Sequence, residues 1–138
     1  MSDRQKTGRS ARRKGAEGER ELVHVLRDFY GYDVRRGDCF RHESDVMGLP
    51  GVHIEVKRQE RLDLIGAVAQ AVVEADMKGD GVPAVFHRKN RSEWLVTMRL
   101  EDWMDFYGGW GDEHCRVHPD GTRESDIEGR TDPEDRDQ

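Results

Sequence analysis

Residues 61–77 are apolar on most sides of a helix, and that segment limits what the chain can fold into. Leu62, Leu64, Ile65, Val68, Val72 and Val73, with several alanines, leave no continuous polar face. Such a helix has to be buried, against a sheet or against a second subunit. The flanking segments predict the sheet. Residues 33–36, 44–48 and 52–58 precede the helix as short strands, the last two joined by the compact turn Leu49-Pro50-Gly51. Residues 83–87 and 93–98 follow it, joined by the basic loop Arg88-Lys89-Asn90-Arg91, after the helix breaks at Gly79-Asp80-Gly81.

Two further helices complete the pattern. From Gly15 to about Tyr30, Leu22, Val25, Leu26 and Phe29 form one apolar stripe, and Gly31 is placed to end the helix. Leu100, Trp103, Met104 and Tyr107 make a short amphipathic helix expected to close the domain. Trp94 and Trp103 read as core residues. The order α-β-β-β-α-β-β-α indicates an α/β fold, a mixed β-sheet flanked by helices. With 138 residues there is room for one such domain.

Charge is unevenly spread over the chain. Residues 1–14 carry six basic side chains, among them Arg12, Arg13 and Lys14, against Asp3 alone. Residues 111–138 carry ten acids against four arginines, and past Trp110 only Val117 and Ile127 are aliphatic. The expected organisation is a basic flexible arm over 1–14, a folded domain over 15–108 and an acidic, disordered tail over 109–138. A basic arm ahead of a neutral body suits a nucleic-acid partner, because Lys and Arg release counterions on meeting phosphates; it equally describes a solvated leader. No stretch approaches the roughly 18 apolar residues of a membrane span, and the basic N-terminus lacks a signal peptide's apolar run. A cytoplasmic protein is expected, with Cys39 and Cys115 as free thiols.

Chemistry concentrates in Ile54-Glu55-Val56-Lys57. Alternation along a strand sends Ile54 and Val56 into the core and sets His53, Glu55 and Lys57 on the other, exposed or lined, face. Glu55 and Lys57 then lie roughly 6–7 Å apart at Cα. Asp45, ten residues upstream on the neighbouring strand, brings a second carboxylate. Two hard oxygen ligands with open positions describe a Mg²⁺ site rather than a calcium cage. Lys57 would orient or deprotonate the nucleophile, or neutralise a developing oxyanion. The same spacing also describes a solvated strand face.

The run Lys14-Gly15-Ala16-Glu17-Gly18-Glu19-Arg20-Glu21-Leu22, followed by Ser44-Asp45-Val46 and Glu55-Val56-Lys57, resembles the PD-(D/E)XK nucleases, and among them the archaeal-type Holliday junction resolvases and their phage and mobile-element versions. The resemblance continues through Gly48-Leu49-Pro50-Gly51-Val52-His53-Ile54, Ala69-Gln70-Ala71 and the segment 85–91 into Trp94, covering about residues 14–107. It implies a restriction-endonuclease-like core and a homodimer that cuts branched DNA with Mg²⁺, or Mn²⁺, in a host cytoplasm. Asp45 and Glu55 would ligate the metal with the Val56 carbonyl, Glu19 would hold it through water, and Lys57 would be the catalytic lysine. Glu17 and Glu21 are alternatives to Glu19. Gln70 stands where some of these nucleases support the site, though a glutamine capping a strand edge would look the same. Arg12, Arg13, Lys14, Arg20, Arg35, Arg36, Arg58, Arg88 and Lys89 would meet DNA.

The loop over 35–43 lacks the serine-rich motif of the archaeal resolvases, so another DNA structure as substrate stays open, as does a catalytically silent DNA-binding module. Cys39-x-x-His42 and Cys115-x-x-His118 could together hold zinc.

Overall fold

The computed structural model describes residues 3–114, with side chains over 13–109. Its elements run α1 (Asp3–Asp28), β1 (Arg35–Arg36), a short 3-10 helix (Cys39–Arg41), β2 (Val46–Met47), β3 (Gly51–Arg58), α2 (Leu64–Lys78), β4 (Gly81–Arg88), β5 (Leu95–Thr97) and α3 (Leu100–His114). The five strands form one mixed sheet in the order β1-β2-β3-β4-β5. Only β3 and β4 pair in parallel, and α2 is the crossover between them. The fold is therefore α/β with a mixed sheet flanked by helices. No helix among the described residues is long and apolar enough to cross a membrane.

Each face of the sheet has its own core. On one face Leu22, Val23 and Leu26 of α1 pack with Val34, Val46, Ile54 and Val56, and Phe86 and Trp94 lean against this cluster. Close approach of α1 to β3 depends on Gly18: a Cβ there would sit 2.8 Å from Arg58 Cβ. On the other face Ala67 and Ala71 of α2 meet Val85, with Leu62, Leu64 and Val68 at the margin. Alanines let α2 lie close to the sheet. Its larger apolar side chains point away, with Ile65 and Met77 each 81% exposed and Val73 exposed as well.

Both ends of α2 are capped, the C-terminal one at the Gly79 break expected from the sequence. The Asp63 carboxylate accepts from Gly66 N–H at 3.0 Å, and Gly79, at φ +61°, donates to the Ala75 carbonyl at 2.7 Å. Gly31, at φ +75°, ends α1 by donating to Arg27 O at 3.1 Å.

Three boundaries differ from expectation. α1 starts at Asp3 rather than Gly15, because the Arg, Lys, Gln and Ala of the segment before Gly15 favour a helix. α3 continues to His114 through Gly108-Gly109, so residues 109–114 are helical, and the rest of the acidic tail lies outside the described residues. The chain also divides into two compact units after Arg99, with α3 in the second. Within α3, Trp103 is not a core residue. It is 49% exposed and stacks on Tyr107 with ring centroids 5.2 Å apart.

Candidate functional site

β2 ends where its pairing with β3 reaches Val46 opposite Ile54. Asp45 continues the ladder by other means: its N–H donates to Ile54 O at 3.1 Å, and its Oδ2 accepts from Val56 N–H at 2.7 Å. A side chain thus does what a strand would have done, and the carboxylate is fixed against β3. Burial, followed by the charge of Glu55 and less strongly that of Glu19, pushes the Asp45 carboxyl up to about 7. Crowded carboxylates of this kind are what a divalent cation relieves.

The row His53, Glu55, Lys57 faces α2 and is not a solvated face. His53 is fully buried and Glu55 nearly so, because α2 covers the side of β3 opposite α1. Lys57 Nζ lies 2.8 Å from Glu55 Oε1 and donates to Gln70 Oε1 at 3.3 Å; Gln70 Nε2 in turn donates to Glu74 Oε1 at 3.0 Å. Gln70 is therefore next to the lysine and caps no strand edge.

Deeper along the same face, His53 Nδ1 is 2.8 Å from both Asp80 Oδ1 and Ser44 Oγ, and Ser44 also donates to Asp80 Oδ2. Burial pushes the Asp80 carboxyl up, but hydrogen bonds from Ser44 and His53 outweigh it and hold it below the ordinary carboxylate range.

Glu19 is held elsewhere. Its Oε2 accepts from Arg36 at 2.9 and 2.7 Å. Among the described residues, the three potential ligands that approach within 4.8 Å of one another are His53, Glu55 and Glu74, not Glu19, Asp45 and Glu55. Of the alternative acids, Glu17 pairs with Arg13 at 3.2 Å, and Glu21 bridges Arg58 (2.9 Å) and Arg88.

Most arginines expected on DNA are likewise engaged within the fold. Arg35 grips Glu43 at 2.7 and 3.0 Å, and the hydrogen bonds hold the Glu43 carboxyl down at about 2. Arg58 also donates to Asn90 at 2.7 Å. Lys14, Arg20 and Lys89 are exposed, and the side chain of Arg12 lies outside the described residues. A groove of about 870 Å³ runs beside Lys14, Glu21, Lys57 and Arg58.

No protein-family model and no curated protein matches the chain.

Asp45, Glu55 and Lys57 converge at the β2–β3 junction, with Glu19 near enough to act on Asp45 through its charge. Two carboxylates with a lysine alongside could hold a divalent cation. Cys39 is exposed and free, and its suggested zinc partners Cys115 and His118 lie outside the described residues.

Sequence reasoning passed over Glu74, Asp80 and Ser44. Glu74 had a signal: it sits four residues after Gln70, on the same helix face. Ser44 and Asp80 meet only through the tertiary fold, 36 residues apart.

Proposed function

We propose that the protein is a Mg²⁺-dependent DNA endonuclease of the PD-(D/E)XK type, acting in the cytoplasm as a homodimer on branched DNA. The observation that carries this reading is geometric: the buried Asp45 carboxylate is fixed on Val56 N–H at 2.7 Å beside Glu55, with Lys57 2.8 Å from Glu55. Asp45 and Glu55, with the Val56 carbonyl, would hold the metal, and Glu19 would join through water once Arg36 releases it. A divalent cation bound there supplies a Lewis acid for a phosphodiester. Lys57 orients the attacking water or neutralises charge on the scissile phosphate, and Gln70 keeps its ammonium over the site. The exposed cations Lys14, Arg20 and Lys89 flank the backbone of the duplex.

A second reading is a nuclease of the same chemistry for another DNA structure. The 3-10 segment in place of the archaeal serine-rich loop favours it, since Phe40 there is 91% exposed.

The test is to incubate wild type and Lys57→Ala with Mg²⁺ and a four-way junction, a flap or a linear duplex. We expect wild type to cut the junction and Lys57→Ala to cut it at least ~100-fold more slowly, with unchanged circular dichroism. Preference for the flap or duplex would select the second reading. Undiminished cleavage in excess EDTA would remove the mechanism.

A further inference from the structure

A buried imidazole normally uses both ring nitrogens. His53 is 0% exposed, yet its Nε2 has no hydrogen-bond partner. Leaving a buried polar atom unsatisfied costs about 1–3 kcal/mol, so the position calls for an explanation.

The other nitrogen settles how the ring is oriented. Nδ1 lies 2.8 Å from the Asp80 carboxylate, which already accepts from Ser44, so Nδ1 carries the proton and donates it. That leaves the Nε2 lone pair unused, 3.8 Å from Glu74 Oε2, and one ring nitrogen gathers with an oxygen of Glu55 and of Glu74 inside 4.8 Å. Glu74 Oε2 is 3.8 Å from Nε2 and 3.7 Å from Lys78 Nζ, beyond hydrogen-bond range of either. A carboxylate bonded to the far nitrogen of a histidine is the usual outer support of a metal-ligating imidazole.

We infer that His53 Nε2, Glu55 and Glu74 form a binding site for a transition-metal dication of the Mn²⁺, Co²⁺ or Zn²⁺ class. The imidazole nitrogen selects this class over Mg²⁺, which prefers oxygen and water. Bonds of roughly 2.0–2.2 Å would draw the three ligand atoms to about 3–3.5 Å from one another, a contraction that side-chain rotation of Glu74 can supply. Glu74 is a third exposed and sits on α2, so it can move without opening the core. Three protein ligands leave coordination positions free, as in sites that exchange ligands rather than purely structural ones. The site shares Glu55 with the proposed endonuclease centre but needs neither Asp45 nor Lys57, and it stands whether or not the chain cuts DNA.

The experiment is pulsed electron paramagnetic resonance of Mn²⁺ added to the untagged full-length chain, which reports nitrogen coordinated to the ion. Wild type should show ¹⁴N coupling. Glu74→Gln, a change at a partly exposed helix position that leaves the fold intact, should lose it and weaken Mn²⁺ binding at least ~10-fold. Asp45→Asn should keep the coupling while losing any Mg²⁺-dependent cleavage, which separates this site from the endonuclease centre. Absence of ¹⁴N coupling in wild type, coupling unchanged in Glu74→Gln, or its loss in Asp45→Asn would each overturn the inference.

Discussion

Asp45 is pulled in opposite directions by its surroundings. The Val56 N–H favours its charged form, while burial and the neighbouring Glu55 and Glu19 disfavour it more strongly, and the carboxyl ends near 7. In the unfolded chain it titrates near an ordinary value, about 3.9. Between those two values the native state holds a proton that the unfolded state lacks. Stability from this residue is therefore complete below about pH 4, falls as pH rises, and is lost above about 7. Asparagine keeps an acceptor for Val56 N–H and has no charge to bury. In EDTA, Asp45→Asn should unfold at higher urea than wild type at pH 8, by roughly 2–4 kcal/mol, with the gap closing toward pH 4. A gap independent of pH would mean that Asp45 is not desolvated. The same substitution should abolish cleavage, so stability is gained where function is lost.

Helix α1 shows how much an element's packing depends on one missing methyl group. Gly15 has nothing within 4 Å of where a Cβ would stand, whereas at Gly18 that Cβ would press on Arg58 Cβ at 2.8 Å and contact Val56. Alanine is favoured over glycine in a helix by about 1 kcal/mol, so Gly15→Ala should raise the melting temperature by a few degrees. At Gly18 the overlap outweighs propensity, and Gly18→Ala should lower it, with a net cost of about 1–2 kcal/mol. Equal shifts for the two variants would contradict the described contact of α1 with β3. Sequence periodicity registers which helix turns pack, not which turns are helical. Leu22 and Leu26 made α1 legible from Gly15 onward, while the sequence before Gly15 carries no apolar stripe to mark a helix. The strand over 52–58 was legible from its own period, since Ile54 and Val56 alternate with His53, Glu55 and Lys57. The burial of His53 and Glu55 was not, because the face opposite an apolar row reads as solvent until a second helix is known to cover it.

At the scale of the whole molecule, α2 leaves Ile65, Val73 and Met77 exposed on its outer side. Within the proposed endonuclease, a two-fold pair of chains would cover this surface and offer two sites to the two strands of a junction. Light scattering at micromolar concentration should give twice the 15.9 kDa of one chain, and Val73→Glu should halve that mass. A wild-type mass near 15.9 kDa accompanied by junction cleavage would defeat the dimer. The two-faced burial of β3 has a bearing on folding errors too. Moving the strand by one residue exchanges its faces, bringing Glu55 among Leu22 and Leu26 and leaving Ile54 against Gln70 and Glu74. The α1 face could then be buried only by stranding the Glu55 carboxylate in hydrocarbon. The ionisable row thus proofreads strand pairing: a chain caught one residue out of step lets go and tries again instead of settling into a trap.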